Sequence, residues 1–301
     1  MRATPLSLAA GLVALAVVAM PAQSPGVQKP PVFRSEVRTV SVYATVRDGD
    51  GRFAPDLARD EFEVRVGGRP QEIVVFSAES QPITVCLLLD MSGSVMHRLL
   101  RLRDGSLHFV KALTHVDRAR IGTFGAEIFI SPLLTNDQAV LERVLREELW
   151  PGGATPLWGA VGAAVDSLAG EPGRRVVLII TDGAAAGTLA GYPAQVGQVV
   201  DRVIDEGFML YSVGVRSNTL EAVDKDLTYL VDRSGGARFI LSDDADLEQT
   251  FTRVADELRR QYLIGFVPDA GLKGRQRIDL SVKRPGHRVQ ARREFTVEES
   301  R

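Results

Sequence analysis

The sequence predicts an α/β fold: a doubly wound, mostly parallel six-stranded sheet with helices on both faces, plus a small β domain built from the N- and C-terminal segments. Three observations lead there. From Pro82 to Leu258, short apolar runs alternate with amphipathic stretches of helical period, which gives a parallel sheet covered on both faces. Two of those runs, Thr84 to Leu89 and Arg175 to Thr181, read as strands buried on both sides. The flanking residues 35–80 and 265–299 instead alternate with period two and are broken by Gly turns.

The N-terminus reads as a leader. Arg2 precedes an apolar stretch from Leu6 to Met20, followed by Pro21-Ala22-Gln23, the layout of a secretory signal peptide over residues 1–22, cut after Ala22. The apolar stretch is shorter than the roughly 20 residues a bilayer span needs. A retained anchor is the alternative. No Cys follows the apolar core, so no lipid anchor is expected. The mature protein is expected to be secreted or periplasmic, with no stable membrane insertion after cleavage. Residues 23–34 form a Pro/Gly-rich linker.

In the N-terminal β segment, 35–80, Val40, Val42, Ala44 and Val46 alternate with Thr39, Ser41, Tyr43 and Thr45, as in a half-buried strand. Asp48-Gly49-Asp50-Gly51 is a turn; its carboxylates lack the other ligands of a calcium loop. Phe62, Val64 and Val66 mark a second strand, and Gly67-Gly68 turns the chain into Ile73 to Phe76. Forty-five residues are near the lower limit for a domain that folds alone.

The central domain, 81–264, follows. Thr84 to Leu89 is its first strand. Leu99, Leu102, Leu107, Val110 and Leu113 give the core face of a helix. Ala119 to Phe124 and Glu127 to Ile130 are strands joined at Gly125. Leu141, Val144, Leu145 and Leu149 mark one helix; Leu157, Val161, Val165 and Leu168 mark the next. Arg175 to Thr181 is the second central strand. Val196 to Val203 is helical, Met209 to Val215 a strand, Leu227 to Val231 a short helix ending at Gly235-Gly236, and Phe239 to Leu241 the last strand. Leu247, Phe251, Val254 and Leu258 mark the closing helix.

The C-terminal hairpin, 265–299, shows Ile278, Leu280 and Val282 alternating with Asp279, Ser281 and Lys283, a Pro285-Gly286 turn, then Val289, Ala291, Phe295 and Val297. Packed on the N-terminal segment, it gives both pieces the core that neither can bury alone. Residues 273–293 hold eight Lys and Arg against Asp279. The two readings are a charge-protected hairpin and an anionic-surface contact; the first is preferred.

Composition sets outer bounds. The 301 residues are 45% hydrophobic and 25% charged, with a formal net charge of −2, so nothing points to nucleic acid. Cys86, the single cysteine, lies inside the first central strand and reads as a small buried hydrophobe.

The chemistry concentrates at strand ends. In an extended segment residues i, i+2 and i+4 project to one side, so Asp90, Ser92 and Ser94 offer three oxygens to one point as the first central strand ends. Such oxygens suit a hard divalent cation. Two further donors follow: Thr155, in the Gly152-Gly153-Ala154-Thr155-Pro156 turn before a helix, and Asp182, in Asp182-Gly183 at the end of the second central strand. Ligands of doubly wound sheets bind at such carboxyl ends. Taken singly, the same residues also read as helix caps and a turn.

On these residues the chain resembles the von Willebrand factor A-type (VWA) domain, a Rossmann-like fold. The family's metal-ion-dependent adhesion site (MIDAS) uses D-x-S-x-S on one loop, Thr on a second and Asp on a third; Asp90, Ser92, Ser94, Thr155 and Asp182 match in order. The whole layout, including Tyr262 to Phe266 and the Pro-Gly hairpin, resembles a bacterial family of secreted VWA-related proteins. The resemblance implies a bound Mg²⁺ (or Mn²⁺), a protein partner that supplies an Asp or Glu carboxylate to it, and no catalysis. Ala184 to Ala186 and Gly159 depart from residues frequent in relatives, which leaves partner selectivity open. Met91, His97 and Trp158 lie near the rim in sequence and read as packing residues.

Two other classes stay open at this point. One is a structural VWA module without an occupied metal site. The other is a metal-dependent phosphoryl-transfer or hydrolytic enzyme, against which stand Ser92 in place of a second Asp, the absence of G-x-S-x-G and only four His.

Overall fold

Four short strands come first: β1 (Val40–Arg47), β2 (Phe62–Val66), β3 (Arg69–Gln71) and β4 (Ile73–Ser77). Strands and helices then intermix as β5 (Ile83–Asp90), α1 (Leu99–Ala112), β6 (Arg118–Phe124), β7 (Ile128–Ile130), α2 (Gln138–Glu147), α3 (Leu157–Leu168) and β8 (Arg174–Thr181). The pattern continues with α4 (Val196–Asp205), β9 (Met209–Val215), α5 (Lys225–Ser234), β10 (Arg238–Leu241) and α6 (Leu247–Arg259). It closes with β11 (Tyr262–Phe266), β12 (Gly274–Val282), β13 (Arg288–Ala291) and β14 (Glu294–Val297). The computed structural model describes residues 39–93, 99–181, 196–215, 224–241 and 247–297. The leader and linker expected over residues 1–34 lie outside them. Among the described residues no helix is long and apolar enough to cross a membrane.

The central sheet has the order β10-β9-β8-β5-β6-β7. Its strands are parallel except β7, which returns against β6. Every residue of β5 is buried, because the strand is covered twice. Val85, Leu87 and Leu89 point into a core with Leu102 of α1, Leu141 of α2 and Phe251 of α6. Cys86 and Leu88 point the other way, among Val161 of α3, Val203 of α4 and Leu230 of α5. Burial pushes the Cys86 thiol up to about 12, so it stays protonated and unreactive. Local signals set the helix ends. Asp137 caps α2 by accepting from the Ala139 and Val140 amides. Asp224 caps α5 in the same way, and Gly235 ends α5 in the left-handed region.

The remaining strands form a sandwich of two antiparallel sheets, β13-β1-β11-β4 and β14-β12-β2-β3. Its core joins Val42, Ala44, Phe62, Val64 and Ile73 to Tyr262, Ile264, Phe266, Ile278 and Phe295. The boundary expected after residue 264 falls inside β11, and all of β11 pairs within the sandwich, between β1 and β4. The physical reason is the Tyr262 side chain. Its ring packs between Phe62 and Phe76, and its hydroxyl donates to the Ala54 carbonyl at 2.6 Å.

β1 keeps the alternation of a half-buried strand from Ser41 to Ala44 and adds one fully buried polar residue, Thr45. Val42, Ala44 and Val46 enter the sandwich core, while Tyr43, Thr45 and Arg47 meet the α/β unit. Thr45 is fully buried and donates to Glu257 Oε1 at 3.3 Å. Arg47 reaches Glu257 Oε2 at 2.7 Å. The Tyr211 hydroxyl donates to Glu257 Oε1, and Gln261 donates to both Thr45 and Tyr211. Arg174, itself 3% exposed, donates to the Leu258 carbonyl and to Gln261 and lies over the Tyr43 ring. The polar face of β1 is thus exposed at Ser41 but buried against partners at Thr45, which alternation alone cannot distinguish.

The basic run of the C-terminal hairpin is likewise engaged with the chain's own acids. Arg275 bridges Asp201 and Asp205 of α4 at 2.9 Å each. Arg284 pairs with Asp56 and Glu61, and Arg277 with Asp279. Arg275 and Arg277 stand on the part of β12 that pairs with β14, while β2 pairs with β12 from Ile278 onward.

Glu257 is wholly buried, and desolvation, opposed by Arg47 and its hydrogen bonds, raises its carboxyl above the usual range. The folded state therefore keeps this proton to higher pH than the unfolded chain, whose glutamates titrate near 4.3. The group's contribution is full below that value and declines as pH rises through the folded value. Glu257→Gln is expected to gain stability relative to wild type between pH 4 and pH 7 in urea unfolding; a loss over that range would show that the Arg47 ion pair outweighs desolvation.

Candidate functional site

β5 and β8 are neighbouring parallel strands, with Leu89 opposite Ile180. From β5 the chain first builds outward through β6 and β7, then returns to the other side of β5 as β8. The reversal of strand order therefore lies at β5/β8, and a crevice for ligands is expected beyond their carboxyl ends. Asp90 closes β5 there and Thr181 closes β8.

Asp90 is fully buried. Its Oδ2 accepts from the Thr181 hydroxyl at 2.7 Å, and its Oδ1 accepts from the Ser92 amide at 2.9 Å. The second contact folds Asp90-Met91-Ser92 into an Asx turn and holds Ser92, 2% exposed, beside the carboxylate. Asp90 is a strand residue whose carboxylate grips its own loop and the next strand, so it is not a helix cap.

Three loops are laced around this turn. The Met91 amide donates to the Phe124 carbonyl and the Gly152 amide to the Met91 carbonyl, both at 2.7 Å. Ala126 donates to Gly152, and Gly93 donates to Gly153 at 3.4 Å. These approaches require glycine at two places. A Cβ on Gly125 would stand 2.5 Å from the Gly152 carbonyl oxygen. Gly153 has φ +87°, and a Cβ there would meet the Ala126 backbone at 2.3 Å. The loop so held carries Thr155, which is 5% exposed. Thr155 does not cap α3: the cap position is Pro156, without a side-chain capping bond. α3 is instead fixed by Trp158, whose indole donates to Asp224 Oδ2 at 3.2 Å.

The structure thus brings together Asp90, Ser92 and the Thr155 loop. Ser94 and Asp182 lie outside the described residues; Asp182 directly follows Thr181 in the sequence. His97 and the Ala184 to Ala186 run also lie outside them. Met91 and Trp158 are buried packing residues. Sequence reading missed Thr181, the donor that orients Asp90, and the closeness demanded of Gly125. Thr181 was visible as a hydroxyl one residue before Asp182, but only strand pairing reveals what it faces. Among the described residues no cluster of three His, Cys, Asp or Glu side chains occurs. The donors gathered here are one carboxylate and hydroxyls, hard oxygens that fit a magnesium-like ion and not a soft one. Carboxylate oxygens also accept more than one partner each.

The match of known families to this chain falls on the same region: the model of the von Willebrand factor type A domain matches residues 84–253, more than half of the chain. The chain belongs to the VWA domain family. Among solved structures, a von Willebrand factor type A protein from Catenulispora acidiphila is 14% identical over 88% of this chain and 76% of that chain, with a TM-score of 0.50. BatB from Bacteroides thetaiotaomicron is 16% identical over 59% of this chain and 98% of that chain (TM-score 0.44). The vWF domain of the type V pili tip protein Mfa5 from Porphyromonas gingivalis is 13% identical over 59% and 95% (TM-score 0.46). Likenesses at these identities concern the fold. No curated protein matches the chain.

In this VWA domain, Thr181→Val removes the hydroxyl on a fully buried carboxylate. Hydrogen bonds to charged groups contribute about 1.5–3 kcal/mol, and a loss of that size is expected in urea unfolding. An unchanged midpoint would mean that other donors suffice to orient Asp90.

Proposed function

We propose that this VWA domain is a divalent-cation-dependent recognition module acting outside the cytoplasm, secreted or periplasmic, that captures an acidic side chain of a protein partner. The observation that carries the reading is the buried Asp90 at the strand-order reversal, with Ser92 folded beside it and the Thr155 loop tied against both. Asp90, Ser92 and Thr155, with Ser94 and Asp182 from the sequence pattern, would hold Mg²⁺ (or Mn²⁺). When bound, the ion supplies an electrophilic centre with an exchangeable position suited to a carboxylate. The chain's own part is to fix the donors before any ligand arrives. Thr181 and the Ser92 amide orient Asp90, and the interloop hydrogen bonds hold the hydroxyl-bearing turns. Such preorganisation lowers the ordering cost of binding. The reading is of a binding module, not a catalyst, and its secretion rests on the leader-like composition of residues 1–22.

Thermal unfolding in EDTA and in millimolar Mg²⁺ or Mn²⁺ tests the reading. An ion at 100 times its Kd adds about 2.7 kcal/mol, a shift of several degrees. The shift is expected in wild type and absent in Asp90→Ala. No shift in wild type, or an equal shift in the variant, would refute the metal site.

A further inference from the structure

The carboxyl pole of the sheet carries two large apolar side chains that packing does not explain. Trp150 is 79% exposed and Leu100 is 62% exposed. The other tryptophan, Trp158, is buried and hydrogen-bonded. Among the described residues no aromatic or cation–π contact involves Trp150.

Their place follows from the chain. The Gln138 side chain at the start of α2 donates to the Leu113 carbonyl just past the end of α1. The two helices therefore run antiparallel, and the end of α2 returns to the start of α1. That start carries Leu100 and follows the Asp90 loop. Leu149, between α2 and Trp150, packs on the core that contains Met91 and Leu102. Trp150 is two residues before Gly152, whose amide is 2.7 Å from the Met91 carbonyl. Two peptide units span at most about 7.6 Å between Cα atoms. The backbone of the exposed Trp150 is thus held within two residues of the hydrogen bond to Met91, which follows Asp90, and a leucine stands on the first turn of the adjoining helix.

We propose that Trp150 and Leu100 are the apolar half of the partner-binding face, so that the ligand is a polypeptide segment whose Asp or Glu is flanked by large apolar side chains. The acidic half of this specificity rests on the metal-site reading above; the apolar half stands on the exposure and placement of these two residues. An exposed tryptophan on a loop bonded to the Asp90 turn has the composition of a binding hot spot, where much of the energy comes from one aromatic side chain. Burial of a large apolar side chain against it corresponds to about tenfold or more in affinity.

Trp150 is its own probe, since the second of the chain's two tryptophans is buried. Capped pentapeptides Gly-Phe-Asp-Phe-Gly and Gly-Gly-Asp-Gly-Gly would be titrated in Mg²⁺ and in EDTA, following tryptophan emission and acrylamide quenching, with Mg²⁺ affinity read separately by thermal shift. The Phe-flanked peptide is expected to shift the emission to the blue, protect Trp150 from acrylamide and bind at least about tenfold tighter than the Gly-flanked one. Trp150→Ala, with peptide binding read by isothermal calorimetry, and Leu100→Ser, both at exposed positions, are expected to erase that preference and leave the Mg²⁺ shift in place. Equal binding of the two peptides, a preference that survives both variants, or no protection by either peptide while Mg²⁺ still stabilises the protein would overturn the inference and leave the metal reading standing. A Phe-peptide preference without any Mg²⁺ effect would sink the metal reading and keep the apolar face; failure of both metal and peptides would sink both.

Discussion

A carboxylate withdrawn from water must receive its partners from the fold, and this chain meets that requirement at both ends of one sheet. At the carboxyl ends of the strands, Asp90 is satisfied by Thr181 from the next strand and by the Ser92 amide from its own loop. At the amino ends, Glu257 is satisfied by Thr45, Arg47 and Tyr211. Leaving either group unpaired would cost several kcal/mol, comparable with the whole stability of a domain. The two clusters therefore constrain where β1, β8, β9, α6 and the Asp90 loop are placed relative to one another.

The amino-end cluster explains how two short β segments distant in sequence become one sandwich attached to an α/β unit. β1 makes contacts on both of its faces. Its valines build the sandwich core and its polar side chains meet α6, β8 and β9. The sandwich is attached elsewhere by polar links too. Arg275 holds the C-terminal half of α4, the Arg292 guanidinium reaches the Ile204 carbonyl, and the Arg293 amide reaches the Arg233 carbonyl at the end of α5. A basic run that in isolation suggests an anionic partner is here largely absorbed by intramolecular acids and carbonyls, each exposed pair contributing little alone.

What the sequence displayed was periodicity and chemistry; what it concealed was adjacency. Continuous apolar runs at Val85 to Leu89 and Val176 to Ile180 carry the parallel sheet on their face, because a strand covered on both sides has no position for a charge until it ends. For the same reason Asp90 and Thr155 stood out, as polar residues at a strand end and in a Gly-rich turn. Thr45 and Glu257 did not, since an isolated Thr in an alternating strand and a Glu in an amphipathic helix look solvated until the fold sets them face to face. Thr181 was hidden in the same way, its role being set by the register of β5 against β8. Tyr262 and Ile264 are as apolar as a sheet-core strand, and only pairing assigns them to the sandwich.

The two poles divide the work of the molecule. The links just described between sandwich and sheet enter at the amino ends of strands: the C-terminal half of α4 before β9, the end of α5 before β10 and the end of α6. Attachment there fixes the sandwich without drawing on the loops that follow β5, β6 and α2. Those loops are held to one another through main-chain hydrogen bonds and two glycines that admit no side chain. Main-chain bonds fix the backbone and leave the outward side chains uncommitted to structure. Trp150, two residues before the bonded Gly152, accordingly stays exposed, its side chain unused by the packing of the loops.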